Sequence, residues 1–171
     1  MVAGVADHHA PQMDWVMALA LWLHALGLII AVGYYGVLGL VLVPALEKSV
    51  HGTDLAEALF GIERRALPLV LASIVLFTVS GLYLLFTDPS YTGIGHVFDN
   101  SWSALMLLKH GVIVVLICAG VSVDWFARDL VFAADEAALR KVIRRVRLSA
   151  QLAAALGAFA ILLTALAQAS Q

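Results

Sequence analysis

Charged residues are scarce in this chain, and the scarcity decides its class. Only 13% of the 171 residues are Asp, Glu, Lys or Arg, whereas 63% are hydrophobic and the mean hydropathy is +0.97. Soluble domains carry about 25% charged residues, so a water-soluble globular fold is excluded and an integral membrane protein is expected. Cysteine is nearly absent as well. The single Cys118 lies in an apolar run, which rules out an intramolecular disulfide and any CxxC or CxxCH site; its place reads as helix packing. There is no phosphate-cradling glycine loop and no credible hydrolytic triad, so a catalytic site of the soluble type is not expected. Basic residues show no excess: the net charge is −2 and the pI is near 6.3. They gather in two clusters that membrane topology accounts for, so no nucleic-acid partner is expected. No Lys or Arg precedes the first apolar run and no small-residue cleavage site follows it, so that run reads as a retained helix.

Long apolar runs are what the chain has in abundance. About 20 apolar residues cross a hydrocarbon core of roughly 30 Å, and four segments qualify, about 14–46, 66–87, 102–131 and 146–168. The expected fold is all-α, a single transmembrane domain over residues 1–171 built as a four-helix bundle in membrane lipid. The first run exceeds one crossing, so it tilts or extends beyond the membrane before Pro44 and Glu47 close it. TDLAEALFGIERRA, with Thr53 and Asp54 as cap candidates, predicts a short interfacial helix ahead of the second span, in which Pro68 is a kink candidate. Residues 88–100 read as irregular, and DEAALRKVIRRVR from Asp135 to Arg147 as a charged helical lead into the fourth span.

Orientation follows from the cations. Lys48, Arg64 and Arg65 lie in the first connection, and Arg128, Arg140, Lys141, Arg144, Arg145 and Arg147 in or beside the third. The positive-inside rule makes both connections cytoplasmic and places both termini and residues 88–101 outside a bacterial-type inner membrane. The remaining cation is Lys109, which sits beside His110 inside SWSALMLLKHGVIVVLICAGVSV. At the centre of a spanning helix a Lys costs on the order of 2.5–3.5 kcal/mol, so an intramembrane charge is a functional candidate by default.

Depth can be counted from the tryptophans that begin two descending spans. His24 comes nine residues after Trp15 and His110 eight after Trp102, so at 1.5 Å per residue both lie roughly 12–14 Å down. Two imidazoles at one level on different helices are an arrangement that holds a b-type haem. The same histidines serve a plainer purpose if they hydrogen-bond neighbouring helices, for which Thr78, Ser80 and Thr164 stand at comparable depth, and Lys109 near the interface can snorkel. Soft ligands give a third reading. Met17 lies seven residues before His24 and Met106 four before His110, each sharing a helix face with a histidine. Thioether plus imidazole suits copper, with His8 and His9 as outer collectors of Cu(II), although methionine is also an ordinary packing residue. Gly33, Gly36 and Gly39, and the small-xxx-small pairs Ala153 with Gly157 and Ala154 with Ala158, permit close helix approach or dimerisation. Tyr34, Tyr35 and Tyr83 are candidates for a cofactor edge or for bundle packing.

The stretches LHALG at 23–27, LVPAL at 42–46, SGLYLLFTDP at 80–89 and LMLLKHG at 105–111 resemble the copper-resistance protein D (CopD) family and, more distantly, the HemJ-type protoporphyrinogen oxidases. The resemblance covers about three of the four spans. It implies a functional His in the first helix and a Lys in the third, matching His24 and Lys109; it carries no counterpart of His110. HemJ-type members are haem b proteins, and CopD-type members are associated with copper movement across the inner membrane. Three functions are therefore expected to compete. The first is a haem b protein held by His24 and His110, with Lys109 on a propionate or as alternative ligand, exchanging electrons with an extracytoplasmic redox protein. The second is a copper-handling protein using His8, His9, Met17, His24, Met106 and His110. The third is a cofactor-free homo-oligomer or subunit of a larger membrane complex, contacting its partners through the Gly and Ala stripes.

Overall fold

The computed structural model describes residues 14–89, 91, 93, 96, 98 and 101–169, which include no strand. Helix α1, Trp15–Val37, runs through a π-helical turn, Leu38–Leu42, into α2, Val43–Ser49. Helix α3 covers Gly52–Thr87, α4 covers Ser101–Asp129 and ends in a 3-10 turn, Leu130–Phe132, and α5 covers Glu136–Ala169. These make four rods, each long and apolar enough to cross a membrane. Their outward side chains are apolar, among them Trp22, Val79, Val114 and Ile29, the last 66% exposed. An apolar coat of that extent fits hydrocarbon, where helices satisfy their own backbone polar groups. The chain is an all-α, four-helix, multi-pass membrane bundle.

Local chemistry sets the boundaries. Asp14 caps α1, its Oδ1 accepting from the backbone N–H of Val16 at 3.0 Å and of Met17 at 3.1 Å. Pro44 does not close the first rod. It lacks the N–H that would reach the Leu40 carbonyl, and its ring crowds that carbonyl; the helix widens just before it, and the Val43 N–H reaches back five residues to Leu38. The rod then continues to Ser49. The expected interfacial helix and second span are likewise one continuous helix. His51 is its N-cap without a side-chain bond, Gly52 turns the chain at φ +60, and Asp54 sits inside the first turn. Helix α3 passes Pro68 without interruption, because Leu55, Leu59 and Val70 on either side bury on one face of the same bundle.

Rod α1 lies against α3 along one side and α5 along another. Rod α4 lies against α5 along its length but meets α3 sparingly, in part through the 130–132 turn, so α1 and α4 stand diagonally. Small residues bring α1 and α5 together. A side chain on Gly39 would stand 2.9 Å from the Gln151 backbone nitrogen, and Gln151 Nε2 donates to the Gly39 carbonyl at 3.0 Å. Gly157 packs on Val32, and Ala150 and Ala153 are fully buried. The small-residue pair Ala153 with Gly157 is thus used inside the chain. A buried hydrophobic core lies toward the end that carries the basic residues, where Leu38, Val43, Leu59, Val123, Leu130 and Ile143 pack together.

Candidate cofactor-binding site

At the opposite end, where α1 and α4 begin and α3 and α5 finish, the helices enclose a cavity of about 320 Å³ with mainly apolar walls. Met17 and His24 reach it from α1. Met106, Lys109, His110 and Ile113 reach it from α4, at the helical spacing that puts residues three, four and seven apart on one side. His24, Lys109, His110, Met17 and Met106 therefore border one space, and neighbours Lys109 and His110 flank it together. His8 and His9 lie outside the described residues. Trp102 differs from its expected role as an interfacial marker: it is buried and forms cavity wall, whereas Trp15 is exposed.

Each imidazole is tied to the backbone by the same nitrogen. His24 Nδ1 lies 3.0 Å from the Phe77 carbonyl oxygen on α3, and its ring stacks on the Phe77 ring with centroids 4.2 Å apart. His110 Nδ1 lies 2.6 Å from the Met106 carbonyl oxygen, one turn back on its own helix. A carbonyl only accepts, so in each neutral ring Nδ1 carries the hydrogen and Nε2 keeps its lone pair. Ser80, one of the expected partners, stands 3.4 Å from His24 Nδ1, while Thr164 donates to Ala160 on its own helix. Lys109 is half-buried and joins no ion pair among the described residues. Among the described residues no group of three His, Cys, Asp or Glu side chains converges closely enough to hold a metal ion, so a bare ion there would need the thioethers.

Other expectations are corrected. Cys118 is exposed on the outer surface of α4 and takes no part in packing. Of the two uses expected for Tyr34 and Tyr35, bundle packing is the one they have, and neither borders the cavity. Tyr34 donates its hydroxyl hydrogen to Glu63, and Tyr35 is buried in the core against Gly120 of α4. Glu63, only 5% exposed, is buried although it lies in the segment expected to be interfacial. Its neighbours Arg64 and Arg65 made it look interfacial, yet it falls in register with Leu55, Leu59 and Val70 on the buried face of α3.

Fold and site together define a membrane bundle, closed and apolar at one end and open at the other onto a chamber bearing two histidines and a lysine. No family model, curated protein or solved structure matches the chain.

Proposed function

We propose that this chain is a b-type haem-binding protein of a bacterial-type inner membrane that exchanges electrons with an extracytoplasmic redox protein. The observation that supports it most is the pairing of His24 and His110. They stand on diagonal helices and border one cavity, and each has Nδ1 committed to a backbone carbonyl and Nε2 left basic. Metal-bound histidines ordinarily donate their second ring N–H to such a carbonyl, which fixes the ring and raises the basicity of the ligating nitrogen. The donor set fits haem: two imidazoles would hold the iron, and Lys109 at the same cavity would balance a propionate. Haem held there supplies one-electron chemistry, its potential set by the two imidazoles and the apolar walls. By the positive-inside rule the cavity end faces away from the cytoplasm, where an external partner can approach.

Copper is the second reading, favoured by Met17 and Met106 on the same cavity and in keeping with the CopD-like stretches. Cavity size speaks for an occupant larger than a bare ion, which needs only its ligands, since about 320 Å³ falls at the lower end of the range of small-molecule and cofactor pockets. A reduced-minus-oxidised spectrum with metal analysis of the purified protein separates the two. Haem bands that vanish in His24→Ala, with helicity unchanged by circular dichroism, are the expected result. Stoichiometric copper without haem bands would replace this reading with the second.

A further inference from the structure

The two histidines are held differently. The acceptor of His110 belongs to its own helix and moves with it, whereas that of His24 belongs to α3 and is reached only through an opening in that helix. In an α-helix the Phe77 carbonyl already accepts from the backbone N–H four residues on, at Gly81. Ser80 Oγ reaches it from the same helix at 3.2 Å, but a donor from a neighbouring helix needs the side chain at the later position to leave the oxygen uncovered. Gly81 has none: a Cβ built there would stand 2.7 Å from His24 Cε1 and 3.0 Å from Nδ1. About one to two turns earlier on α3, the backbone is approached just as closely by Gly27 of α1, where a Cβ would lie 2.7 Å from the Ser73 carbonyl oxygen and 2.9 Å from the Phe77 nitrogen. Gly27 thus draws α1 onto α3, and Gly81 accepts the imidazole that this approach delivers.

The surroundings of Nδ1 also settle where its hydrogen sits. Ser80 Oγ, 3.4 Å away, has its own hydrogen directed to the backbone carbonyls of Leu76 at 2.6 Å and Phe77 at 3.2 Å. Two acceptors and no donor therefore face Nδ1. We propose that the turn of α3 from Phe77 to Gly81 is a cradle that fixes the ring direction of His24 and its Nδ1–H form, with Gly81 as the positioning residue. The use of that cradle, presenting Nε2 to a metal centre, rests on the haem reading; its existence does not.

Ring-15N-labelled histidine in the full chain, in detergent without haem and with His24 assigned through His24→Ala, tests it directly. The wild-type chain is expected to show His24 protonated at Nδ1 and bare at Nε2. Gly81→Ala is expected to displace the ring and abolish that single form, while leaving His110 unchanged. The substitution itself favours helix, so helicity should hold. Gly33→Ala, whose added Cβ meets nothing within 4 Å, is the matched control and should leave His24 as it is. A hydrogen on Nε2 in the wild-type chain overturns the proposal, as does an unaltered His24 signal in Gly81→Ala. If that variant does not fold, the wild-type measurement decides alone. In haem-loaded protein Gly81→Ala should weaken retention about 10–100-fold, the usual effect of losing an outer-shell partner. A correct tautomer in a chain that takes up no haem would sink the haem reading and leave the cradle standing; haem binding with the wrong tautomer would do the reverse.

Discussion

At the basic end of the bundle Ile143, Leu130, Leu59 and Val123 fill the space between helices, and a buried carboxyl, that of Glu63, takes a hydrogen bond from Tyr34. At the other end the same four rods leave about 320 Å³ between them and border it with two imidazoles and an ammonium group. Polar groups at the closed end are matched to one another; those at the open end are matched only in part, with each histidine bound through one nitrogen and Lys109 joining no ion pair among the described residues. The contrast separates a region that holds the rods in register from one that is left available to a ligand. Stability and function should therefore respond to substitutions at different ends.

The largest expected effect tests the closed end. Ile143 is 1% exposed among Leu and Val side chains, so Ile143→Ala should lower unfolding stability by about 2–5 kcal/mol, the lost contacts adding to an unfilled cavity. Met17→Ala, at the wall of a space already open, should cost less than about 1 kcal/mol. Denaturant titration of the two variants in one detergent is the measurement, and equal losses would erase the distinction between the ends.

Tyr34→Phe comes next. It removes the hydrogen bond into the Glu63 carboxyl while keeping the ring, leaving a buried acceptor unsatisfied at about 1–3 kcal/mol. Glu63→Gln keeps an oxygen that can accept from Tyr34 and should be milder. If both variants unfold like the wild type, the pair is not part of what closes this end.

How much of this was legible in the sequence differs between the two ends. The rods were legible because apolar length is a direct physical requirement of crossing lipid. Counting 1.5 Å per residue from Trp15 and Trp102 predicts a similar depth for His24 and His110; the structure brings both to one cavity, of which Trp102 is a wall and not an interfacial marker. The diagonal placement of α1 and α4 was not legible, because four apolar rods admit several neighbour orders and the choice falls to side-chain fit such as Gly39 on Gln151. Glu63 was hidden by the two arginines that follow it, although its register with Leu59 and Val70 was there to be read. The partner of His24 is a backbone carbonyl, which every residue carries and no letter marks; only Gly81, an uncovered position four residues after Phe77, hinted at it.

The smallest effect has the opposite sign. A Lys at the middle of a spanning helix is unfavourable by about 2.5–3.5 kcal/mol, and one that reaches toward water near the end of a span is less so. Lys109 is half-buried beside the cavity, so Lys109→Met should stabilise the ligand-free bundle, on the order of 1 kcal/mol, by replacing a poorly matched charge with a flexible apolar chain of similar reach. The same substitution should weaken retention of an anionic cofactor, since a carboxylate brought to that cavity would lose its cation. Thermal unfolding without ligand and haem titration on the same variant read the two quantities separately. A gain in stability with a loss in binding marks a group kept for a ligand against the interest of the fold. A loss in both would make Lys109 part of the packing, and unchanged binding would remove it from the site and leave the two histidines to hold the cofactor alone.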